Sequence, residues 1–229
     1  MNKFVLFDID GTLIDPGGAG RRSVSKVFYQ MFSNRDAFAN ITMAGKTDIQ
    51  IIKEGLYIHG LPSGDGVLTS ILSQYVKILK TEINNNRKHV MPGAVELLNV
   101  LKTKDGYWLG LLTGNIEQGA RIKLGAFGLN EYFPVGAFGD DNEDRNRLLP
   151  IAVKRLRKMT NIDINYSDCI VIGDTPMDVL CSNPFGATSI VVSTGPYSYE
   201  SLLETGADYV LRDLSYAMDI INKLSSNRT

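Results

Sequence analysis

The chain has little that would staple or anchor a protein. Its 229 residues include only two cysteines, Cys169 and Cys181, and two histidines, His59 and His89. The cysteines are not spaced as a metal-ligand or redox pair, so they are expected to sit reduced in the interior, as in a cytosolic protein. The histidines form no pair at metal spacing and are expected near the surface or at the edge of an insert. No run approaches the ~20 apolar residues of a membrane span. The first apolar stretch stops at Asp8, too early for a secretion signal. A net charge of -1 leaves no basic field that would argue for nucleic acid or an anionic membrane. With 44% hydrophobic and 21% charged residues, the chain can build a core without disulfides or structural metal. Its length fits one sizeable domain, or a core with a smaller insert. The expectation is a soluble cytoplasmic protein, monomer or homodimer, with no nucleic-acid or membrane partner.

What stands out instead is residues 4–13, Phe-Val-Leu-Phe-Asp-Ile-Asp-Gly-Thr-Leu. Four apolar residues running into a charge read as a buried strand whose C-terminal tip carries chemistry. Asp8 and Asp10 would share a face if extension persisted, but Gly11 suggests a turn that gathers both carboxylates at one small site. Two acids and a turn glycine in that place suit a hard cation such as Mg²⁺, which takes oxygen ligands.

The C-terminal part alternates strand-like and helix-like segments, the pattern of a parallel α/β sheet. Strands are expected at Tyr107–Thr113, Phe133–Phe138, Asp168–Ile172, Ala187–Val192 and Tyr209–Leu211. Helices are expected at about 115–126, 146–159, 176–183, 198–205 and 213–224. A further helix should open at Pro92-Gly93, with Pro near N1. Residues 16–89 break the alternation with amphipathic helical stretches around 20–33, 47–58 and 66–85, and read as a helical insert between the first and second strands.

Three more sites fall at or near strand ends. Thr113-Gly114-Asn115 places a hydroxyl beside a glycine turn into a helix, where a phosphate oxygen can bind. A cation lies around Arg145. Gly173-Asp174-Thr175-Pro176-Met177-Asp178 follows another apolar strand. In an open parallel sheet the carboxyl ends of the strands line one crevice, so these groups would converge. Each has a plain alternative: an Asp at a strand end is often a helix cap or Asx turn, and Thr113 an ordinary cap.

In order and spacing, Asp8-x-Asp10-Gly-Thr, Thr113 and Gly-Asp174-Thr-x-x-Asp178 closely resemble the motifs of the haloacid dehalogenase-like hydrolases, in the phosphoglycolate phosphatase-like subgroup. The resemblance implies a Rossmann-like three-layer parallel sheet, residues 1–15 and 90–229, with a helical C1-type cap at 16–89 inserted after the first strand. It implies a small phosphorylated metabolite as substrate, Mg²⁺ as cofactor, Asp8 as nucleophile and Asp10 as general acid and base. The metal would be held by Asp8, the backbone carbonyl of Asp10 and Asp174, with Asp178 orienting a ligand or a metal water. Thr113, Gly114 and Asn115 would meet the phosphoryl group.

The family's third motif is usually a lysine, and none stands at the matching place. Counting back seven positions from Ala152, as in related sequences, gives Arg145, with Arg147 the rival and Lys154 a distant third. Gly45-Lys46-Thr47-Asp48 resembles the cap's specificity segment, although Thr47 as a helix N-cap explains it as well. Lys46, Arg21 and Arg22 are candidates for a second anionic group on the substrate. Asp10 favours phosphate esters over carbon–halogen bonds, because a leaving alcohol needs a proton and halide does not. A phosphoglucomutase-like phosphotransferase is the alternative, followed by a phospho-accepting regulatory protein.

Overall fold

The computed structural model describes residues 2–226. The first half holds β1 (Lys3–Phe7), β2 (Ile14–Asp15), α1 (Ala19–Phe32), α2 (Asp48–Ile58), α3 (Asp65–Glu82), β3 (His89–Val90), α4 (Ala94–Lys102) and β4 (Tyr107–Leu112). The second half holds α5 (Glu117–Gly125), β5 (Val135–Ala137), α6 (Leu148–Thr160), β6 (Cys169–Gly173), α7 (Pro176–Ser182), β7 (Thr188–Val192), α8 (Tyr199–Leu203), β8 (Tyr209–Leu211) and α9 (Ala217–Ser226).

Six strands form one parallel sheet in the order β5-β4-β1-β6-β7-β8. The alternation of β1 shows why it lies at the centre. Val5 and Phe7 point into a cluster with Leu98, Leu111 and Ile172, while Phe4 and Leu6 point into another with Leu149, Leu156 and Val171. Helices cover both faces, so every residue of β1 is buried and its residues 4–7 read as a continuous apolar run. From β1 the chain builds outward through β4 to the edge at β5, then crosses to the other side of β1 with β6. That reversal opens a crevice at the carboxyl ends of β1, β4 and β6, where an open α/β sheet binds its ligands.

The structure departs from expectation in two places. Pro92 is not in the first turn of α4. Gly93 is the cap, in the left-handed region at φ 78°, and a Cβ there would fall 2.3 Å from the backbone nitrogen of Ser215. The close approach of the 213–217 turn fixes this conformation, which only glycine adopts without strain. Second, β2 and β3 form an antiparallel ribbon that pairs Ile14 with Val90 and Asp15 with His89. Two-residue strands carry no readable periodicity.

The residues between β2 and β3 have their own apolar core, with Val27, Phe28, Phe38, Leu56, Ile71 and Leu79 buried together. The Phe28 and Phe38 rings meet edge to face at 4.5 Å. Gly55 admits this packing, since a Cβ there would sit 2.8 Å from the Phe38 ring. The same cluster takes in Ile116 at the start of α5, so the insert rests on the crevice side of the sheet. Both cysteines are buried and unpaired. His59 Nε2 donates to the carbonyl of Ala37, and His89 is exposed in the ribbon. Among the described residues no helix is long and apolar enough to cross a membrane.

Candidate active site

Asp8 continues β1 for one residue, its N–H donating to the carbonyl of Ile172 at 2.9 Å. The chain then turns: Gly11 has φ 83° and donates to Ile14 at 2.8 Å. This turn gives the two carboxylates different surroundings. Asp8 faces Arg145, Asp174 and Asp178. The Asp10 Oδ2 atom instead accepts from Lys123 Nζ at 2.6 Å and from Asn115 Nδ2 at 2.7 Å. Asp10 Oδ1 is buried and has no hydrogen-bond partner among the described residues.

One carboxylate oxygen from each of Asp8, Asp174 and Asp178 lies within 4.8 Å of the other two, and all three residues are buried. Burial pushes Asp8 up to about 6, helped by Asp178 and Asp10 and opposed by Arg145. Asp174 is pushed well above the usual carboxylate range by burial, then by Asp8 and Asp178. Three acids crowded in this way fit a hard cation, which would satisfy the charge that desolvation penalises.

Local sequence explains how the acids come so close. Gly173 ends β6 against Asp178, where a Cβ would fall 1.9 Å from the carboxylate carbon. Asp178 closes a capping box at the start of α7, its Oδ2 accepting from the Thr175 amide at 3.0 Å and hydroxyl at 2.8 Å. Its other oxygen is bonded by Arg145. Both Asp178 oxygens are thus already engaged. Asp174 has a freer carboxylate, with Thr12 Oγ1 donating to Oδ1 at 3.2 Å. Its Oδ2 is hemmed in by backbone, since a Cβ on Gly195 would lie 1.7 Å from it and one on Gly11 2.3 Å.

Arg145, in a short 3-10 turn ahead of α6, is the cation that reaches this cluster. It is buried, bonds Asp178, and stands 3.4 Å from Asp8. Burial works against its charge, but Asp178 and Asp8 outweigh it and hold the guanidinium more firmly protonated than usual. Arg145 Nε has no hydrogen-bond partner among the described residues. Arg147 is 73% exposed and pairs with Asp144 away from the acids.

Thr113 follows β4 and is buried, its hydroxyl hydrogen-bonded to Asp8 and accepting from Asn115 Nδ2 at 2.9 Å. Gly114 lies against the insert: its carbonyl accepts from the Asp48 amide at 2.8 Å, and a Cβ would meet the Lys46 carbonyl at 2.3 Å. The Asp48 carboxylate in turn accepts from the Ile116 amide at 2.9 Å. Thr47 caps α2 in a full capping box with Gln50. Lys46 lines the cavity, its ammonium bonded to Glu54. Arg22 is held by Glu82 and Gly17, and Arg21 by the carbonyls of Phe38 and Ile41.

Sheet and insert together enclose a cavity of about 470 Å³ lined by Asp8, Asp10, Asp174, Arg145, Asp48 and Lys123 among others. Sequence reasoning missed Lys123 and Gly195, and it gave no role of their own to Asp48 and Thr12, which stand inside the segments it singled out. Lys123 had a signal: it sits with Ala120 and Leu124 on the buried face of α5, where an unpaired lysine is not expected. Gly195 had none, because the need for glycine comes from Asp174, which is distant in sequence.

A family model for haloacid dehalogenase-like hydrolases matches residues 5–192. The chain belongs to that family. Similar relatives include the pyrophosphatase PpaX of Halalkalibacterium halodurans, 25% identical over 223 residues, covering 95% of each chain. A phosphoglycolate phosphatase of Rhodospirillum rubrum is 25% identical over 224 residues, covering 94% of this chain and 89% of the relative. In fold, the chain resembles CbbY from Rhodobacter sphaeroides, solved in complex with phosphate, with a TM-score of 0.74, 19% identity, and coverage of 94% and 96%.

Proposed function

We propose that the chain is a Mg²⁺-dependent phosphatase for small phosphomonoesters, phosphoglycolate-like or sugar phosphates, acting in the cytoplasm through an aspartyl-phosphate on Asp8. The observation that carries this is the buried cluster of Asp8, Asp174 and Asp178 beside Arg145 at the sheet's switch point, with Asp10 next to it but in different contacts. Mg²⁺ would be held by Asp8, the backbone carbonyl of Asp10 and Asp174, with Asp178 fixing Arg145. It supplies positive charge against the phosphoryl oxygens. Thr113, the Gly114 amide, Asn115 and the Nε of Arg145 bind the remaining phosphoryl oxygens.

In the first half-reaction an Asp8 oxygen bonds to phosphorus as the ester P–O bond breaks, and Asp10 gives its proton to the departing alkoxide. In the second, Asp10 takes a proton from water as that water attacks phosphorus, releasing phosphate and restoring the Asp8 carboxylate. Residues 16–89 act as a C1-type cap over the crevice, entered and left through the β2–β3 ribbon. Support comes from the cavity, whose walls come from both parts. Lys46, which lines the cavity, would meet the distal part of the substrate.

The test is phosphate release from a panel containing phosphoglycolate, hexose phosphates, nucleoside monophosphates, pyrophosphate and an aryl phosphate, with Mg²⁺ and with EDTA. Metal-dependent release supports the reading; silence across the panel with metal present overturns it. Isomerisation of a sugar phosphate without release would move the same residues to a mutase. Asp10→Asn should lower turnover on an alkyl phosphate by roughly 10²–10⁴-fold while leaving the melting profile intact. Metal binding has its own readout. Mg²⁺ at a hundredfold over its Kd should stabilise the protein by about 2.7 kcal/mol, seen as a rise in Tm. Asp174→Asn should lose that rise. A metal-induced shift equal to wild type in this variant would remove Asp174 from the ligand set.

A further inference from the structure

Lys123 is buried in the last turn of α5 and takes no part in the two half-reactions. Its ammonium donates to Asp10 Oδ2 at 2.6 Å and to Asn115 Oδ1 at 2.5 Å. Its ammonium also lies against α1 of the insert, where a Cβ on Gly20 would be in ordinary contact with Nζ at 3.5 Å. Burial alone would drive a lysine towards the neutral form, but Asp10 and Asp48 more than offset this and keep it charged. The cation therefore stays fixed between the sheet's acid and the insert's.

The bonds around Asp10 carry a consequence for its chemistry. Oδ2 accepts two N–H groups, from Lys123 and from Asn115. An oxygen facing two donors is a poor place for a proton of its own. Oδ1 is buried and has no partner among the described residues. When the carboxyl is protonated, the hydrogen belongs on Oδ1, the oxygen free to face a leaving group.

We infer that Lys123 is a positioning residue for acid catalysis, clamping Asp10 through Oδ2 so that Oδ1 carries the proton delivered to the leaving oxygen of a phosphomonoester. The inference rests on the phosphatase reading. As the ester P–O bond breaks, its electron pair stays on the leaving oxygen, which takes the hydrogen from Oδ1, and the new carboxylate charge falls beside the Lys123 ammonium. A purely structural Lys123, tying α5 to the first loop, would be indifferent to the leaving group.

That difference supplies the test. The quantity to measure is kcat/KM, which reports the steps through departure of the leaving group, on two esters. An alkyl phosphate needs its leaving oxygen protonated, whereas 4-nitrophenyl phosphate does not. Lys123→Met should lose about 10- to 100-fold on the alkyl ester and less than about threefold on the aryl ester, a share of what acid catalysis provides. In an Asp10→Asn background the same substitution should add little, because residues acting as a unit are not additive. Lys123→Gln, which keeps a donor and shortens the side chain, carries the same comparison if the methionine variant does not fold. Equal losses on both esters, or full additivity with Asp10→Asn, would overturn the inference and leave the phosphatase reading standing. A wild-type chain that hydrolyses neither ester overturns both.

Discussion

Asp8→Asn should abolish phosphate release, by on the order of 10⁵–10⁶-fold, as loss of a nucleophile does elsewhere. The side chain keeps its size and sits on the same strand end, so the fold should survive. What is lost is the anionic oxygen that bonds to phosphorus, together with one charge of the buried triad. The substitution has an opposite effect on stability. Burial raises the Asp8 pKa from 3.8 to about 6, so the native state favours the protonated form. Its contribution is therefore fully present below pH 4 and is lost as pH rises through 6. Metal-free Asp8→Asn should lose less stability than wild type across that window, measured by urea denaturation at a series of pH values. A variant that is inactive yet gains in resistance to unfolding above pH 6 is the expected pair of results. Residual turnover within tenfold of wild type would remove Asp8 from the chemistry.

Arg145→Met should damage both stability and activity. Its guanidinium bonds Asp178 and approaches Asp8 at 3.4 Å, and all three groups are buried. Removing the cation leaves two carboxylates without their counter-charge in a desolvated site, a change that costs about 3–5 kcal/mol where buried pairs have been broken. Bound Mg²⁺ should recover part of that loss. Activity should not recover, because Arg145 Nε, unpartnered among the described residues, would no longer meet a phosphoryl oxygen. Arg145→Lys separates charge from shape. It restores a point charge but not a planar fork that holds two acids, so it should regain more stability than turnover. Denaturant midpoints and phosphate release for both variants would decide the matter. Wild-type values for Arg145→Met would mean that another cation serves the site, and Arg147, 73% exposed beside Asp144, is not placed to do so.

The sheet was legible because parallel strands buried on both faces leave uninterrupted apolar runs, as in Val5–Phe7 and Ile170–Ile172. The acids were legible because glycines and turns mark strand ends: Gly11 and Gly173 each sit where a side chain would strike a carboxylate. Arg145 came from a count back from Ala152 that the family resemblance supplied, and in the structure a 3-10 turn sets it, buried, against Asp178. Other features have no local signature. The β2–β3 ribbon is too short for periodicity, Gly195 answers to an acid twenty-one positions earlier, and the left-handed Gly93 answers to Ser215. Lys123 is signalled only by its place on the apolar face of α5 and Asp48 only by the segment it stands in, and tertiary packing sets them against Asp10 and the Ile116 amide.

The covalent route through Asp8 is tested most directly by rapid acid quench during turnover of a phosphomonoester with Mg²⁺, followed by peptide mapping. A phosphoryl group on Asp8, absent from Asp8→Asn and from samples with EDTA, is the expected result. Phosphate release at full rate with no phosphoryl group on Asp8 at any quench time, and with Asp8→Asn still turning over, would contradict it.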